Sequence, residues 1–566
     1  MKHMTMKMNS FCKRSPFVLT GISWLGSLCL MIALCSSPAH AQGTFTAASC
    51  NRSDVNAVIN GPTHTAVNGD TIIIPAGSCT WTSGITISGV GIDITGTGTP
   101  NTGAATFGAG TSNTTLIDNA SVALFAFINL TYGETAKVEL FTLSAAGAAN
   151  YASTGPISFQ GTCTTSGCAQ IRADNIFFTT GTWDGPIADG GFVRTDNVFG
   201  VVDHTTSSWS NAAGVGGAGP PLVEVNQSAW QGVGAYGDNS FASADSMGTA
   251  QALFIENNSL TGNRATDNDV SPVNGHSGGD RDVCRFNVVV NVNGSALCSG
   301  HGTTWNGYRG QRQLEAYYNT ITCGASGSSD CNVGNGLAGG TGVSLSNKFI
   351  VNSGHGFNSA IALAILRQSG DPLGIWGYCD GTQPYDQTPF TSTSQCLDQP
   401  GTGAGSLMNT GASPKPTLVS TGAPRWPNAA PDPVYEAGDF PSGGGGLNIG
   451  IGSSFHITAN STYYAEVSTN AQTSATSPFN GTTGTGYGTL ANRPANCTTG
   501  VGYWATDQGN WNTFNTNEEG ELFTCTATNT WNLKYTPYTY PHPLEAGGTI
   551  VTNQPPNPSN LTATVQ

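Results

Sequence analysis

The arginines of this chain are concentrated in one segment. Of the twelve in the sequence, five lie between residues 264 and 312, although the chain has a formal net charge of −15. A guanidinium binds a carboxylate through two parallel hydrogen bonds. The cluster therefore predicts either internal salt bridges or recognition of an acidic substrate. Its basic members are Arg264, Arg281, Arg285, Arg309, Arg312, His276 and His301.

β-Elimination on a uronate sugar is one reaction that fits this residue set. The sugar carboxylate must be neutralised, a base must take the acidified proton, and an acid must protonate the leaving oxygen. We assign neutralisation to Arg285 and Arg312. His301 is the candidate base, because neutral imidazole is a suitable base near pH 7, and Tyr317 is the candidate acid. Substrate contacts are assigned to Arg309, Glu315, Glu256, Arg281 and His276.

The same residues have a purely structural interpretation. Glu256 and Glu315 can flank Arg285 as salt-bridge partners, and exposed pairs of this kind contribute only about 0–1 kcal/mol each. An isolated histidine such as His301 is more often structural than catalytic. Both interpretations stay open at the level of the sequence.

Three aspartates in the same segment suggest two further chemistries. Asp267, Asp269 and Asp280 could bind calcium, which prefers clustered carboxylate oxygens. A separated pair among them could instead perform inverting glycoside hydrolysis. No EF-hand pattern surrounds them, and acids solvated in a polar loop are the third alternative. Calcium is the one cofactor that the sequence suggests.

A repeated segment predicts the elements that would position these residues. Six short apolar pieces each reach an Asn, or once a His, and continue into a second apolar piece; the positions are 175, 204, 258, 287, 319 and 347, with gaps of 29, 54, 29, 32 and 28. One turn of a solenoid with three short strands needs about this length, and stacked Asn amides can hydrogen-bond as a ladder. Leucine-rich spacing is absent, and a sandwich would not repeat in this way. We therefore predict an all-β, right-handed parallel β-helix with a short N-terminal capping helix near 53–59 and long covering loops.

The alternation of strand side chains then sorts the two faces. The inward positions are Phe177, Leu260, Val289, Ile321, Phe349, Ile255, Cys284 and Ala316. Glu256, Arg285 and Tyr317 should face outward on neighbouring turns about 4.8 Å apart, with Glu315 beside them. The helix winding would thus bring the candidate site residues to one outer sheet face.

The N-terminal residues of the chain predict export. Residues 1–41 have a basic start, an apolar stretch and Ala39-His40-Ala41, the pattern of a bacterial-type signal peptide. Their removal takes four of the 19 Lys and Arg residues and none of the 34 Asp and Glu, which leaves a net charge of about −19. Such a surface disfavours nucleic acid and anionic membranes as partners. We predict a monomer that is secreted or periplasmic.

The remaining sequence divides into a body and a tail. Residues 42–545 are predicted as one β-helix domain, with covering loops around 372–441 and a C-terminal aromatic cluster that caps the helix end. Residues 546–566 are predicted as a flexible tail that resembles the start of a further module. Twelve cysteines remain after cleavage, and export permits disulfides between neighbours. The predicted pairs are Cys50/Cys79, Cys163/Cys168, Cys284/Cys298, Cys323/Cys331, Cys379/Cys396 and Cys497/Cys525.

Four segments resemble the pectate-lyase-like superfamily of bacterial parallel β-helix proteins. They are Gly69–Gly77 with Trp81-Thr82, Gly200–His204, His301–Thr303 with Arg309–Arg312, and Tyr540–Leu544. The resemblance spans about residues 45–545 and implies a β-helix that acts on carbohydrate. It implies no particular catalytic set, because the superfamily includes lyases, hydrolases, esterases and binding proteins.

Three functions follow from these observations. The first is a secreted lyase that cleaves an acidic, uronate-containing polysaccharide. The second is a glycoside hydrolase of the same fold, in which Asp269 or Asp280 would be essential and Arg285 dispensable. The third is a non-catalytic glycan-binding or adhesin solenoid.

Overall fold

Strands form almost all of the regular structure. The computed structural model describes residues 42–61, 64–103, 106–120, 122–145, 155–163, 167–179, 191–210, 223–226, 246–263, 273–275, 279–290, 297–300, 311–323, 333–351, 357, 359–364, 400–404, 430–441, 449–451, 457–466 and 479–546. All described elements lie in one compact unit, Gly43–Gln566. The predicted signal segment 1–41 and the tail from 547 lie outside the described residues.

The predicted capping helix is present at the N-terminal end. Helix α1 (Arg52–Ile59) has Asp54 in its first turn and buries Val55 and Ile59, which lie four residues apart on one helical face. The strands that follow begin the parallel sheets. They are β1 (Thr44–Thr46), β2 (Thr71–Ile73), β3 (Gly77–Trp81), β4 (Ile85–Ser88), β5 (Asp93–Thr95), β6 (Gly98–Thr99), β7 (Thr111–Ser112), β8 (Thr114–Asp118), β9 (Phe125–Thr131) and β10 (Thr135–Ala145).

The middle of the chain repeats short strands at regular intervals. These strands are β11 (Ile157–Thr162), β12 (Ala169–Phe178), β13 (Val193–Asp196), β14 (Val198–Asp203), β15 (Thr206–Ser210), β16 (Val223–Asn226), β17 (Leu253–Glu256), β18 (Ser259–Asn263), β19 (Val273–Gly275), β20 (Arg281–Arg285), β21 (Val288–Val290), β22 (Cys298–Gly300), β23 (Gln313–Tyr317), β24 (Thr320–Cys323), β25 (Val333–Leu337), β26 (Thr341–Leu345), β27 (Lys348–Val351) and β28 (Ser359–Leu363).

The last part of the chain extends the sheets and then changes to antiparallel pairing. Its strands are β29 (Thr402–Ala404), β30 (Ala430–Pro431), β31 (Val434–Ala437), β32 (Phe440–Pro441), β33 (Ile449–Ile451), β34 (Tyr463–Tyr464), β35 (Thr485–Gly488), β36 (Gly502–Ala505), β37 (Glu521–Ala527) and β38 (Thr530–Tyr535), with 3₁₀ helices at Leu490–Asn492 and Pro543–Ala546. Residues 430–441 were predicted as covering loop, but they contain β31 and β32, which pair with β26 and β27. Their Pro and Gly content hid the strand pattern.

Two large parallel sheets organise the body. One contains twenty strands and the other ten. In the larger sheet, β14, β17, β20, β23, β26 and β31 pair in succession, and so do β15, β18, β21, β24 and β27. The ten-stranded sheet contains β13, β16, β19, β22, β25 and β28 in the same order. Each strand thus pairs with the strand three places later in most of the body, and the all-β prediction is confirmed.

The main core lies between these parallel sheets. Leu260, Val289, Ile321 and Phe349 are fully buried there, together with Ile255 and Cys284. These are six of the positions that the alternation pattern predicts to be inward. Phe177 is an exception, because 38% of its surface is exposed while its neighbour Phe178 is fully buried. The predicted inward and outward positions are therefore shifted by one residue in β12.

The predicted Asn ladder is present, but over a shorter range. The side-chain amides of Asn258, Asn287, Asn319 and Asn347 follow one another, with each Nδ2 donating to the next Oδ1 at 2.9–3.0 Å. Asn347 Nδ2 then donates to Asp439 Oδ1 at 2.9 Å, so an aspartate ends the described ladder. The whole row is buried, where every amide group needs a partner.

Asn175 and His204 do not belong to this ladder, which corrects the prediction. The pairing register places them beside Asn257, one residue before the ladder position. At this bend the backbone is left-handed, with φ of 52°, 44° and 59° at Asn175, His204 and Asn257. Asn tolerates this conformation better than most residues. The predicted repeat combined two different bend positions, the left-handed position and the ladder position that follows it by one residue.

Four of the six predicted disulfides are confirmed. Cys50–Cys79, Cys163–Cys168, Cys284–Cys298 and Cys497–Cys525 are bonded, at sequence separations of 29, 5, 14 and 28. Cys331, Cys379 and Cys396 lie outside the described residues. Among the residues that the structure describes, no helix is long and apolar enough to cross a membrane.

Candidate functional site

The predicted outer row of charged and aromatic residues exists. Parallel pairing places Glu256 beside Arg285, and Arg285 beside Tyr317. The same row continues in the other direction through Asp203 to Asp174. The register thus confirms that parallel strand pairing brings residues that are distant in the sequence together on one sheet face.

Arg285 lies at the centre of this row and is completely enclosed. Its Nε donates to Glu256, and its Nη1 donates to Tyr317 Oη at 3.1 Å. The carbonyl oxygens of Tyr538 and Thr539 accept from the two Nη atoms at 2.6 and 2.9 Å. Burial alone would lower the pKa of Arg285, but the Glu256 carboxylate outweighs burial and raises it. The guanidinium is a permanent, internally neutralised charge.

Tyr317, the predicted acid, is equally buried. Its ring lies edge-on to Trp511, with centroids 5.5 Å apart, and its hydroxyl accepts from Arg285. Burial raises the pKa of Tyr317, and the Arg285 charge only partly offsets this. A phenol of raised pKa in a closed site is a weak proton donor.

Glu315 and Arg281 are also held by internal partners. The Glu315 carboxylate accepts from Tyr535 Oη at 2.6 Å and from the Gly248 amide at 3.1 Å. Arg281 donates to Ser246 Oγ. Both side chains are fully buried.

Arg312 lies at a different position on the same sheet. Its Nη1 is 3.3 Å from Asp432 Oδ2, and the residue is fully buried. Arg312 and Arg285 therefore have separate acidic partners, and the described contacts do not bring them to one point. Asp280, a predicted metal ligand, is buried beside the start of β20, where its carbonyl accepts from the amides of Arg312 and Gln313.

Five predicted site residues cannot be placed. His301, Arg309 and His276 lie outside the described residues, as do Asp267 and Asp269. The predicted base and most of the predicted calcium ligands thus remain predictions.

Residues 479–546, here called the C-terminal cover, enclose the outer row. Strands β36, β37 and β38 pair antiparallel. Their aromatic residues form a second core against the outer face of the large sheet, where Trp504, Trp511 and Tyr535 are buried together with Phe254 and Val283. This aromatic cluster was predicted to cap the end of the β-helix. It lies along the face instead, which corrects that prediction.

The closed face removes the predicted solvent access to the site. Glu256, Arg285, Arg312, Glu315 and Tyr317 each have no exposed surface. In this conformation none of them can touch a polysaccharide. The alternation of residue types indicates which side chains face away from the core between the sheets. A side chain on that outer face can still be buried by a segment that is distant in the sequence.

A second charged cluster, which the sequence analysis did not propose as a site, lies further along the row. Arg172 Nε and Nη2 donate to the two Asp203 oxygens at 2.9 and 2.6 Å, and Nη2 is 3.0 Å from Asp174 Oδ2. His204 Nδ1 lies 2.9 Å from Asp203 Oδ2. The signal available in the sequence was Asp203-His204 itself, quoted there only as a repeat.

The two carboxyl groups of this cluster have opposite electrostatic surroundings. Burial would raise the pKa of Asp203, but Arg172 and His204 lower it below its usual range. For Asp174, burial and the nearby Asp203 charge raise the pKa well above its usual range, and Arg172 only partly offsets them. The pKa values of the two carboxyl groups are therefore shifted in opposite directions.

Asp174, Asp203 and His204 also satisfy the distance requirement for a metal site. Their ligand atoms lie within 4.8 Å of one another. The Arg172 guanidinium already contacts both carboxylates, however, and His204 Nε2 lies 3.1 Å from the Gly103 carbonyl oxygen. An arginine in this position supplies the positive charge that a metal would, so the residues fit an ion-pair network better than a metal centre.

A cavity of about 440 Å³ lies where the C-terminal cover meets the last parallel strands. Its lining includes Asp432, Tyr435, Asn460, Tyr464 and Lys534. The two tyrosine rings stack with centroids 5.3 Å apart. Lys534 Nζ is 3.6 Å from Asp432 Oδ1, and its side chain is 34% exposed. Polar groups and the partly exposed Lys534 side chain thus line an open cleft.

A scan against protein-family models finds no match, and neither a search of curated proteins nor a search of solved structures finds a similar chain. The resemblance to the pectate-lyase-like superfamily therefore stays a prediction from the sequence.

Proposed function

We propose that this chain is an exported, right-handed parallel β-helix that binds an acidic glycan without cleaving it. The winding is supported by three successions of parallel strands, each of which advances three strands at a time as far as β26, β27 and β28, and by the Asn ladder. Parallel crossovers are right-handed in nearly all proteins. Four disulfides suit an oxidising compartment.

The enclosure of Arg285 is the observation that favours glycan binding over lyase chemistry. A lyase must bring the sugar carboxylate to a cation that is available to it. Arg285 donates to Glu256, Tyr317 and two carbonyl groups of the C-terminal cover, and it has no exposed surface. A sugar could reach it only by replacing these partners. The row is better explained as the means by which the cover is fixed to the sheet.

We place the glycan contact at the cavity lined by Lys534. Its volume falls within the usual range of ligand pockets, about 300–1,000 Å³. The Lys534 ammonium can pair with a sugar carboxylate, and the amide of Asn460 can bond to hydroxyl groups. A uronate unit, rather than a neutral sugar, would make use of the ammonium.

Affinity electrophoresis on a panel of uronate and neutral polysaccharides tests this proposal. The ultraviolet absorbance of an unsaturated product is followed in parallel. We expect retardation on at least one uronate polymer, loss of retardation in Lys534→Gln, no change in Lys137→Gln, and no absorbance. Release of unsaturated product, or failure to bind any uronate polymer, would refute the proposal.

A glycoside hydrolase is the second candidate, and the Asp174–Asp203 pair favours it. Two carboxyl groups with opposite pKa shifts are the usual acid and base of such enzymes. Their nearest oxygens lie within 4.8 Å, which is closer than the spacing of about 6.5–9.5 Å that inverting enzymes need between carboxyl groups. This site differs from the Asp269 and Asp280 pair that the sequence suggested.

The release of new reducing ends distinguishes this candidate. If the pair is catalytic, wild type hydrolyses a polysaccharide, and Asp174→Asn and Asp203→Asn each abolish the release while binding persists. Absence of new reducing ends across the panel would exclude the hydrolase.

A further inference from the structure

The end of the C-terminal cover runs across the charged row as a strap, residues 536–546. Its backbone is held by the sheet at three places. The Tyr538 and Thr539 carbonyls accept from Arg285, and the His542 amide donates to Glu256 Oε1 at 2.6 Å. The Leu544 and Glu545 carbonyls accept from Arg172 Nη1 at 3.1 and 3.4 Å.

Side chains of the strap add two further contacts. Tyr540 Oη donates to Asn257 Oδ1 at 2.6 Å. The Nδ2 of the same Asn257 lies 3.4 and 3.5 Å from the two oxygens of Glu545. Glu545 is therefore directed inward to the sheet.

Glu545 meets another acid there. Its carboxyl group lies beside that of Glu256, close enough for the two to share a hydrogen bond, and Asp203 lies near enough to add to the negative potential. The cations of the row are already engaged, because Arg285 pairs with Glu256 and Arg172 pairs with Asp203. A hydrogen bond between two carboxyl groups requires one proton, since two carboxylates have no hydrogen to share.

We propose that Glu545 is a proton-dependent latch that fastens the strap to the sheet. With a proton, it donates to Glu256, and the strap covers the outer row. Without the proton, two carboxylates face each other and Glu545 moves toward water, which frees residues 540–546 and uncovers Arg172, Asp203 and Glu256. The inference does not depend on the proposed glycan binding.

The electrostatics agree with this geometry. Burial, and then the charges of Glu256 and Asp203, raise the pKa of Glu545 well above its usual range. In Glu256, by contrast, Arg285 and the hydrogen bond from Glu545 outweigh burial and lower the pKa. The shared proton therefore belongs to Glu545.

The other groups that face the latch keep one charge state through neutral and mildly alkaline pH. Burial lowers the pKa of His542 to about 4, so this ring is neutral there. The pKa of Asp203 is lowered and those of Arg172, Arg285 and Tyr540 are raised. Asp174 is the exception, because its pKa is also raised, and it contacts Arg172. The test must separate it from Glu545.

Hydrogen exchange of the whole chain between pH 5 and pH 9 tests the latch. After correction for intrinsic exchange, we expect protection of the amides of 540–545 to fall by up to about tenfold per pH unit once the shared proton is lost. Amides of β20 and β23 provide the reference for the intact body. Glu545→Gln should keep the strap protected at all these pH values. Glu518→Gln, an acid of the cover that lies outside residues 536–546, should behave as wild type.

Three results would overturn the proposal. The first is a wild-type strap whose protection does not change with pH. The second is an unchanged pH profile in Glu545→Gln. The third is a flat profile in Asp174→Asn with a normal profile in Glu545→Gln, because the proton would then belong to Asp174.

Discussion

Replacement of Arg285 by methionine should lower the free energy of unfolding of the protein rather than alter a reaction. Met preserves most of the length of the side chain but removes every donor. Glu256 then keeps its charge in a closed site, and the carbonyls of Tyr538 and Thr539 lose their donors. The side chain also lies over the rings of Phe254 and Tyr540, at 4.8 and 5.2 Å.

The magnitude follows from the buried charge. Removal of one partner of a buried ion pair costs about 3–5 kcal/mol, because the other charge stays uncompensated. Urea unfolding followed by tryptophan fluorescence measures this loss, since Trp504 and Trp511 lie in the core between the cover and the sheet. Arg493→Met, at a partly exposed arginine of the cover, should lose less than about 1 kcal/mol.

A double variant completes the test. When both partners of a buried pair become apolar, the loss is largely recovered. We therefore expect Arg285→Met with Glu256→Met to be more stable than Arg285→Met alone. A single variant within about 1 kcal/mol of wild type that has lost a polysaccharide-cleaving activity would refute the structural role of Arg285.

Three further predictions concern the body. Asn287→Ala should lose about 3 kcal/mol in urea unfolding, because the ladder amides on both sides and the Ile255 carbonyl lose a partner. Replacement of Cys50 and Cys79 by alanine should cost about 3–4 kcal/mol, as expected for a loop of 29 residues, and thermal unfolding without reductant measures it. Burial raises the pKa of Asp118 to about 7 from 3.8, so its protonated form favours folding; wild-type stability should fall as pH rises from about 4 to 7, and Asp118→Asn should be about 2–4 kcal/mol more stable at pH 8 but similar at pH 4.

The Asn ladder shows how far the repeat predicts the structure. Asn258, Asn287, Asn319 and Asn347 share one register because the intervals between them match the spacing of strands that pair in the large sheet. The continuation at Asp439 was not found, since the sequence pattern requires an amide and a carboxylate accepts the same hydrogen bond.

The one-residue error at His204 has a local cause. Both bend positions favour small polar side chains, one for its left-handed backbone and the other for its hydrogen bonds. Thr205 occupies the true ladder position, where its amide donates to Asn258 Oδ1 at 2.9 Å. Without the strand pairing, an Asn or His at either bend position satisfies the same sequence pattern.

The adjacency of Glu256, Arg285 and Tyr317 could be predicted, but their burial could not. The alternation of apolar and polar residues along a strand indicates on which face of the sheet a side chain lies. It does not tell what covers that side. The segment that covers it lies more than 160 residues later in the sequence. Tyr535 and Glu315, which are 220 residues apart, form one of the contacts between the two. No local pattern in either segment encodes that pairing.

The Arg172 cluster was missed for a related reason. Each of its members occupies an ordinary strand position, and only the register of β12 with β14 brings Asp203 to Arg172 and Asp174. The dense arginine segment is the stronger signal in the sequence. A high density of charged residues along the chain is a weak guide to a site where paired strands are separated by about thirty residues in the sequence.

Arginine modification tests the closed face most directly. A dicarbonyl reagent is added to the native chain, and mass spectrometry locates the modified arginines with and without a uronate oligosaccharide. We predict that Arg281, Arg285 and Arg312 stay unmodified in the native chain and react once the chain is unfolded. Rapid modification of native Arg285, suppressed by the oligosaccharide, would contradict the account and support an open catalytic site on this face.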